Sequence, residues 1–296
     1  MALGSVLQTA LSGMAAAETV VAVVANNMAN ARTPGYKASS PVLVTQEPQT
    51  QSPGAAPDGA SGGSNPVQTG TGVLVAGTST DFSQGAIAIG GVSGGVSGGI
   101  AIEGEGLFIL EGPQGRRSYT RDGSFHLNAD RELVTAEGYR VLGFSTDENF
   151  QFQTGRLSPL RIPLGRAVRT PSGGTATLTG FRITSDGRVQ GVWSDGRPRD
   201  LGRIRLARFA NPSGLAKQAG NRYAPGPNSG LPAESDPQAS GAGQIIAGAT
   251  ELSNTDIAQG LVDLQLASDL FRANLQVAST SIHLLDELIN LRRLPA

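Results

Sequence analysis

The sequence predicts an α+β protein: N- and C-terminal helices that pair as a coiled coil, and an all-β middle domain of short antiparallel strands. Three observations support this fold class. Apolar residues recur at alternating spacings of three and four near both ends of the chain, a periodicity typical of coiled-coil helices. Short runs rich in β-forming residues occupy the middle. Gly accounts for 41 of 296 residues and aromatic residues for only 5%, which favours turns and short strands.

The N-terminal segment predicts an amphipathic helix followed by a defined stop. Its apolar seam consists of Leu3, Leu7, Ala10, Met14, Ala17, Val21, Val24 and Met28. The end of this segment, "ANNMANARTPGYK", contains Asn26, Asn27 and Asn30, followed by Pro34 and Gly35. Asn accepts turn conformations, and Pro followed by Gly stops a helix, so this stretch predicts helix termination.

The C-terminal segment predicts a second apolar seam on a long helix. The seam consists of Leu261, Leu264, Ser268, Phe271, Leu275, Ala278, Ile282, Leu285 and Ile289. Gly260 weakens a helix by about 1 kcal/mol relative to Ala, so the helix is expected to begin in earnest after it. Ordering each residue costs roughly 1 to 2 kcal/mol, more than one seam of small side chains returns. We therefore expect frayed ends in the monomer and ordered helices in a larger assembly.

The remaining chain divides by composition. Residues 46–72 are rich in Pro, Gly, Ser and Gln and predict a loop or linker. Residues 90–99 ("GGVSGGVSGG") predict a flexible loop. A polar stretch at 221–243 leads back to the last helix. The expected organisation is an N-terminal axial helix and turn at 1–37, a linker with short strands at 38–99, a β-rich outer domain at 100–210, a returning linker at 211–250 and a C-terminal axial helix at 251–296.

The β-rich domain is predicted from short strand-like runs separated by turn dipeptides. The runs are "GLFIL", "RSYTR", "SFHLN", "ELVTA" and "YRVLGF". Asp122-Gly123, Asp186-Gly187 and Asp195-Gly196 supply the turns between flanking strands.

Composition argues against nucleic-acid binding, metal binding and catalysis. A net charge of −1 leaves no cation excess for nucleic acid or anionic lipid. The sequence has no Cys, and its two His, His126 and His283, lack a second ligand at metal spacing. We therefore expect no catalytic residue, no metal and no cofactor, and hence no enzyme. The N-terminus lacks a classical signal peptide, and the apolar run at residues 20–25 stops at Asn26, so no membrane insertion is expected.

The motifs resemble one family. The stretch "TALSGMAAAETVVAVVANNMANARTPGYKAS" closely resembles the N-terminal signature of bacterial flagellar axial proteins, the hook and basal-body rod family. Blocks at 101–143, 206–230 and 251–280 agree with the same family in the same order. Together the blocks cover well over half the chain.

The resemblance implies a structural subunit that polymerises into a tube transmitting torque in the bacterial flagellum. In that family the terminal helices pair and form the inner wall, and the β region lies outside. The implied partners are copies of the same chain, other rod, hook and junction proteins, and the flagellar type III export apparatus, which exports the chain without a cleaved signal. The implied location is the hook or basal body.

Within the family, "GATELSN", "FRANLQVAST" and residues 147–165 look more like a hook protein than a distal rod protein. The additional outer domain usual in hook proteins has no room here, so a distal rod subunit is the alternative. Arg131 stands where the family usually has Gly in a turn, Gly260 replaces a usual Glu, and residues 267–269 lack a common Gln-Arg pair. Such departures indicate local differences in packing.

The predicted subunit interface combines the helix seams with the Asn cluster. Its residues are Leu7, Met14, Val21, Val24, Asn26, Asn27, Asn30, Tyr36, Leu264, Phe271, Leu275, Ile282 and Leu285. The seam residues serve equally well as an intramolecular core, and the Asn residues as helix caps. Two remoter alternatives are a monomeric β-rich adhesin or binding module, and a carbohydrate-active enzyme with paired carboxylates in a cleft of the β region.

Overall fold

The chain forms two compact units. The computed structural model describes residues 2–57, 62–90, 99–147, 150–169 and 174–293, so most of the predicted 90–99 loop lies outside the described residues. Met1–Ala29, Ser39–Thr80 and Asp256–Ala296 make up the first unit, here called the helical unit. Asn30–Ala38 and Asp81–Thr255 make up the second, here called the β unit. The predicted terminal helices therefore belong to one unit, although they lie at opposite ends of the sequence.

The helical unit combines long helices with a β arm. Its elements are α1 (Ala2–Ala29), β1 (Ser39–Thr45), β2 (Gln49–Ser52), β3 (Val67–Thr69), β4 (Val73–Thr80) and α2 (Ile257–Arg293). Strand β1 pairs antiparallel with β4, and β2 pairs antiparallel with β3. The predicted 46–72 linker thus contains a strand pair, which continues the arm begun by β1 and β4.

The two helices pack antiparallel and approach closely at glycines. A Cβ atom added to Gly13 in α1 would lie 2.7 Å from Oδ1 of Asn274 in α2. A Cβ added to Gly260, at the beginning of α2, would lie 3.3 Å from Cγ of Met28, at the end of α1. The start of one helix therefore faces the later part of the other, and a glycine is present at each of these close contacts.

The predicted seam of α1 is sheltered in the structure. Ala10, Ala17 and Val24 are buried, and Leu7, Met14, Val21 and Met28 are partly buried. The side chain of Leu3 lies outside the described residues. The period read from the sequence therefore places the inner face of α1 correctly.

The predicted seam of α2 was only half correct. Its sheltered positions recur with heptad spacing at Gly260, Leu264, Ala267, Asn274, Ala278, Ser281 and Leu285, and Phe271 stands in the same row but is 38% exposed. Leu261, Leu275, Ile282 and Ile289 lie beside that row, and their side chains are 49 to 53% exposed. The inner face of α2 carries many small residues because they allow the close approach to α1, whereas apolar spacing alone selects the larger neighbours.

A second face of α1 is fixed on the arm by polar contacts. The Ser12 hydroxyl accepts a hydrogen bond from the backbone N–H of Val73 at 3.2 Å. Near the other end of the helix, the Asn27 amide donates to the Ser39 carbonyl at 2.7 Å and accepts from the Ser39 N–H at 2.9 Å. Ala16 is buried between these positions. The Asn27 side chain therefore satisfies backbone groups at the start of β1.

Helix α1 is also long and apolar enough over Gly4–Ala29 to cross a membrane, judged by length and composition only. We expected no membrane insertion because the continuous apolar run stops at Asn26. That criterion counts consecutive apolar residues and not the composition of the whole helix. Core helices and N-terminal signal sequences have the same properties, so this observation is weak evidence for a membrane span. In the structure, the buried side chains of α1 pack within the helical unit.

Helix α2 begins earlier than expected. Asp256 caps it, because its Oδ1 accepts hydrogen bonds from the N–H groups of Ala258 and Gln259 at 2.8 and 3.1 Å. Gly260 therefore lies inside the first turn, and the prediction that the helix begins after it was wrong. The cap and the contact with Met28 offset the low helix propensity of glycine.

The β unit is built from short antiparallel strands. Its strands are β5 (Ile87–Ile89), β6 (Ile100–Glu103), β7 (Leu107–Glu111), β8 (Arg117–Thr120), β9 (His126–Leu127), β10 (Leu133–Val134), β11 (Arg140–Ser145), β12 (Ser158–Pro159), β13 (Ala167–Arg169), β14 (Thr175–Ile183), β15 (Arg188–Trp193), β16 (Arg199–Ile204), β17 (Leu206–Arg208), β18 (Ala216–Gln218), β19 (Arg222–Ala224), β20 (Ala233–Ser235), β21 (Gln244–Ala247) and β22 (Ala249–Glu251). The five predicted runs correspond to β7 to β11, so this part of the prediction is confirmed.

One branched sheet dominates the unit. Its main path is β13-β14-β15-β16-β11-β7-β8-β19-β18, and further strands pair with β7, β11 and β17 at its sides. Strand β7 is buried on both faces: Phe108 and Leu110 belong to one hydrophobic cluster, and Leu107 and Ile109 to another. The continuous apolar run "LFIL" follows from this position, because a strand covered on both faces needs no polar alternation.

Two of the three predicted turn dipeptides close hairpins. Gly187 and Gly196 have φ of 81° and 73° and lie between β14 and β15 and between β15 and β16. Asp122-Gly123 instead links β8 to β9, which are not partners. A Cβ on Gly123 would collide with the carbonyl oxygen of Ile100, so this glycine permits a close backbone contact rather than a hairpin.

Helix pairing can be tested with neighbouring residues of α2. Ala278→Glu should destabilise the helix pair by about 3 kcal/mol, because it places a carboxylate in the buried row. Val277→Glu introduces the same charge at a position that is 45% exposed and should change stability by no more than about 0.5 kcal/mol. Thermal unfolding of the dilute full-length chain, followed by helical circular dichroism, measures both. Equal losses would show that the row does not hold the helices together.

Candidate functional site

The motif that follows α1 is a tight turn. In Thr33-Pro34-Gly35-Tyr36, the Tyr36 N–H donates to the Thr33 carbonyl at 3.2 Å, and Gly35 has a φ of 64°. Proline in the second position and a left-handed glycine in the third are the residues that a type II turn requires. A Cβ on Gly35 would lie 2.5 Å from the backbone nitrogen of Asp122, so glycine is needed here for space as well.

The residue after this turn enters a buried ionic cluster. The Lys37 ammonium lies 2.6 Å from Oε1 of Glu251, and the Arg121 guanidinium lies 2.6 Å from Oε2 of the same carboxylate. All three residues are at least 95% buried. We call Lys37, Arg121 and Glu251 the ionic junction. It joins the end of the N-terminal motif, the end of β8 and the last residue of β22.

Additional hydrogen bonds satisfy the charged groups of the junction. Arg121 donates to the carbonyl groups of Ile102 and Gly104 at 3.1 and 2.7 Å, and also to that of Gly106. Oε1 of Glu251 also accepts from the N–H of Gly85 at 3.0 Å. A buried charge is tolerated when it is paired and its remaining donors and acceptors have partners, and this cluster meets both conditions.

A second motif residue, Asn254, fastens the same segments. Its Oδ1 accepts from the N–H of Ala38 at 2.8 Å, and its Nδ2 donates to the carbonyl of Asp81 at 3.0 Å. The backbone N–H of Gly35 donates to the carbonyl of Glu251 at 2.7 Å. The sequences "TPGYK" and "TELSN", more than 200 positions apart, are therefore bonded directly to each other within the β unit.

The β18–β19 hairpin covers the turn. Lys217 donates to the Lys37 carbonyl at 2.7 Å and lies over the ring of Tyr36, 4.8 Å from its centroid. Asn221 donates to the Pro34 carbonyl at 2.8 Å. The turn is thus held by both side chains and backbone groups.

Burial determines the electrostatics of the junction. It lowers the pKa of Lys37 below the ordinary 10.5, although the hydrogen bond and charge of Glu251 oppose this shift. Burial likewise lowers the pKa of Lys217. The nearby Tyr223 packs against Phe82 with ring centroids 5.0 Å apart, and burial raises the pKa of its phenol well above 10.0. The Tyr223 hydroxyl is buried without a hydrogen-bond partner in the described part of the chain.

The residues predicted as a subunit interface occupy three kinds of position. Leu7, Met14, Val21, Val24, Leu264, Phe271 and Leu285 lie on the helix rows that face each other, and Leu275 and Ile282 lie beside them. Asn27 binds Ser39, and Oδ1 of Asn30 accepts from the Thr33 hydroxyl at 3.2 Å, so both carboxamides have partners within the chain. Tyr36 is 7% exposed, under Lys217.

Sequence reasoning missed the ionic junction. Lys37 and Glu251 both stand in motifs that were recognised, but nothing in a single sequence pairs a Lys with a Glu more than 200 residues away. A usable signal was the single charged residue in each of "TPGYK" and "TELSN". The junction is closed to solvent, so its chemistry is structural. Among the described residues no group of three or more His, Cys, Asp or Glu side chains is placed to hold a metal ion.

Comparison with known families matches two segments of the chain. Residues 7–37 match the model of the flagella basal body rod protein, and residues 101–191 match the model of the flagellar hook protein FlgE/F/G D1 domain. These segments include Lys37 and Arg121 of the ionic junction.

Comparison with curated proteins extends the similarity over almost the whole chain. The chain is 32% identical to the flagellar basal-body rod protein FlgG of Bacillus subtilis, over 97% of this chain and 98% of that protein. It is 30% identical to FlgG of Borreliella burgdorferi over the same shares of both chains. It is 25% identical to the flagellar hook protein FlgE of Brucella abortus, covering 99% of this chain and all of that protein over 414 aligned positions.

A solved structure shows a weaker likeness. The flagellar hook protein FlgE2 of Helicobacter pylori shares 12% identity with a TM-score of 0.21, covering 62% of this chain and 46% of that one. A likeness at this level carries no argument about the fold.

The importance of the junction can be measured by removing its carboxylate charge. Glu251→Gln should cost about 3 to 5 kcal/mol of folding free energy, because it leaves two buried cations without an anion. Glu234→Gln removes a partly exposed ion pair with Arg117 and should cost no more than about 1 kcal/mol. Denaturant unfolding monitored on the β unit compares the two variants. A similar cost for both would mean that the junction does not stabilise the fold.

Tyr223 predicts a pH dependence of stability. Because its pKa is raised on folding, the unfolded chain loses the phenol proton first, and stability falls as the pH rises above about 10. Tyr223→Phe should reduce this fall, although the raised pKa values of Tyr36 and Tyr119 preserve part of it. At neutral pH the variant should be at least as stable as the wild type, because it removes a buried hydroxyl without a partner. Denaturant unfolding at neutral and alkaline pH tests both statements, and an unchanged alkaline fall would contradict the first.

Proposed function

The chain belongs to the family of flagellar basal-body rod and hook proteins, and from this premise we propose that it polymerises through its terminal helices into the tube of the flagellar axis. As a member of this family it is a structural subunit of the flagellum. The proposal concerns how the subunits join, which neighbours they have and how they reach the assembly site.

The observation that carries the proposal is the apolar surface of α2 outside its contact with α1. Large apolar residues flank the sheltered row on both sides and are 45 to 53% exposed. On one side they are Leu261, Leu275, Ile282 and Ile289, and on the other Leu270, Val277 and Leu284. If α2 packed only on α1, the residues on either side of the sheltered row would not need to be apolar. The apolar residues on both sides therefore favour contacts with neighbouring helices.

The energetics support assembly through these flanks. Burying the exposed half of a Leu, Ile or Val side chain contributes about 1 kcal/mol. Several such contacts on each subunit add to the burial already made between α1 and α2, and so they favour the assembled subunits over separate ones. The seam of α1 and α2 acts as a coiled coil within this arrangement, and repeated head-to-tail contacts that do not close a ring produce a helical polymer.

The predicted interface residues divide between two roles in this proposal. Leu275 and Ile282 contact the next subunit, as do their exposed neighbours on α2. The residues of the facing rows hold the helix pair together. Asn26, Asn27 and Asn30 lie at the end of α1, where Asn27 and Asn30 order the exit of the chain, so replacing them with Ala should impair assembly through this local order.

The comparisons are compatible with both a hook subunit and a distal rod subunit. The rod position is favoured by length, because the chain aligns with FlgG of Bacillus subtilis over nearly the full length of both proteins. The alignment with the Brucella hook protein extends over 414 positions for a chain of 296 residues, so that hook protein contains segments without a counterpart here.

The remaining parts of the proposal follow from the family. The segments 1–37 and 251–296 form the inner wall of the tube, the β-rich segment 100–210 lies outside, and 38–99 and 211–250 connect them. The chain is exported unfolded by the flagellar type III apparatus without cleavage and meets other rod, hook and junction proteins. It acts without a cofactor and catalyses no reaction.

Assembly can be separated from folding by charge substitution on α2. Leu275→Glu and Ile282→Glu should leave the thermal unfolding of the monomer within about 0.5 kcal/mol of the wild type, because both side chains are half exposed. The same variants should abolish or strongly reduce polymer formation, measured by sedimentation and electron microscopy, because they place charges in an apolar contact.

The matched control is Gln276→Glu, which adds the same charge at an exposed polar position of the same helix. It should polymerise like the wild type. Normal polymers formed by Leu275→Glu and Ile282→Glu would rule out this face of α2 as the subunit contact.

A further inference from the structure

One segment of the β unit concentrates positive charge. Residues 156–208 contain 11 Arg and only three Asp, in a chain whose net charge is −1. Several of these arginines are paired with carboxylates: Arg188, Arg199, Arg203, Arg205 and Arg208. The ionic pairs of the described residues do not include Arg161 or Arg166, which lie at the beginning of the segment.

Arg161 and Arg166 line the same pocket as Arg131. The pocket has a volume of about 530 Å³, and all its lining residues belong to the β unit. Ser145, Thr146 and Ser158 contribute hydroxyl groups, and Phe150, Leu201 and prolines contribute apolar surface. No Asp or Glu is among the described residues that line it. Three arginine residues therefore line one pocket, and no carboxylate of the described residues lines it with them.

The backbone around these arginines is fixed. The N–H of Ile162 donates to the Arg131 carbonyl at 2.8 Å, and the N–H of Arg166 donates to the Pro163 carbonyl at 3.0 Å. Nε of Arg161 donates to the Asp130 carbonyl at 2.9 Å. The bonds of Ile162 and Arg161 connect the loop between β9 and β10 to the segment between β12 and β13. The three side chains thus start from positions that are set by the fold.

The backbone of Arg131 is in an unfavourable conformation for its residue type. Its φ is 62°, in the left-handed region, within a turn closed by hydrogen bonds from Arg131 N–H to the Asn128 carbonyl and from Asn128 N–H to the Glu132 carbonyl. Glycine is the residue that this position favours. Glycine would relieve this backbone strain, yet the sequence has Arg here, which points to a use for the side chain. The Arg131 side chain lines the pocket.

We propose that the pocket of Arg131, Arg161 and Arg166 binds a multivalent oxyanion, with phosphate or carboxylate groups on the guanidinium groups. The planar donor fork of Arg matches both kinds of group and binds them through paired, charge-assisted hydrogen bonds. The neighbouring carboxylates of Asp130 and Glu132 do not line the pocket, and that of Glu132 contacts the Asn128 amide at 3.4 Å. This site is independent of the helix surface proposed for assembly, so either proposal can fail without the other.

The proposal is tested by calorimetric titration of the full-length chain at low salt with two probes, pyrophosphate and citrate. At least one should bind, and the tighter probe identifies whether phosphate or carboxylate is preferred. Arg161→Gln and Arg166→Gln should each weaken binding about tenfold. Arg156→Gln is the matched control, because this exposed arginine of the same segment does not line the pocket. It should bind like the wild type.

Arg131→Gly separates binding from folding. This variant should unfold at the same or a higher temperature than the wild type, because glycine removes the strain, and yet bind the probe about tenfold more weakly. Three results would overturn the proposal: no binding of either probe by the wild type, an equal loss in Arg156→Gln, or unchanged affinity in Arg131→Gly.

Discussion

One buried carboxylate organises the two chain segments that lead into the terminal helices. Glu251 lies between Lys37 and Arg121, and its backbone carbonyl accepts from Gly35. The turn that follows α1 and the strand that precedes α2 are therefore held by the same residue. Removing the carboxylate leaves two buried cations, so the charges of this cluster depend strongly on one another. Within the β unit, this constraint fixes the two segments that adjoin the helices in sequence.

In the helical unit, small residues form the contact between the helices and larger apolar residues lie beside that contact. Small residues such as Gly13, Ala17, Ala267 and Ala278 lie where the helices approach each other, and larger aliphatic residues of α2 lie beside the contact. Close approach requires small side chains, whereas contacts between subunits benefit from larger ones. The same helix is thereby suited both to an intramolecular pair and to a polymer.

Arginine has two different uses in the β unit. Arg121 and the arginines of β15 to β17 are paired with carboxylates, so they contribute to the fold. Arg131, Arg161 and Arg166 line a pocket without an acidic partner in the described residues. Net charge does not reveal this difference, because acidic residues elsewhere balance the sum over the whole chain.

The sequence by itself determined the helices at the ends, the five strands from β7 to β11, the turn after α1 and the family. These features are encoded locally, by apolar period, by β-forming runs and by Pro-Gly chemistry, all of which act between residues a few positions apart. Only the tertiary structure decided the inner row of α2, the start of that helix at Ile257, the pairing of the strands in the predicted linkers and the partners of Glu251. Each of these depends on residues far apart in sequence. Small side chains become a helix contact only when α1 lies against them, and a charge becomes a stabilising partner only when folding buries it beside its opposite.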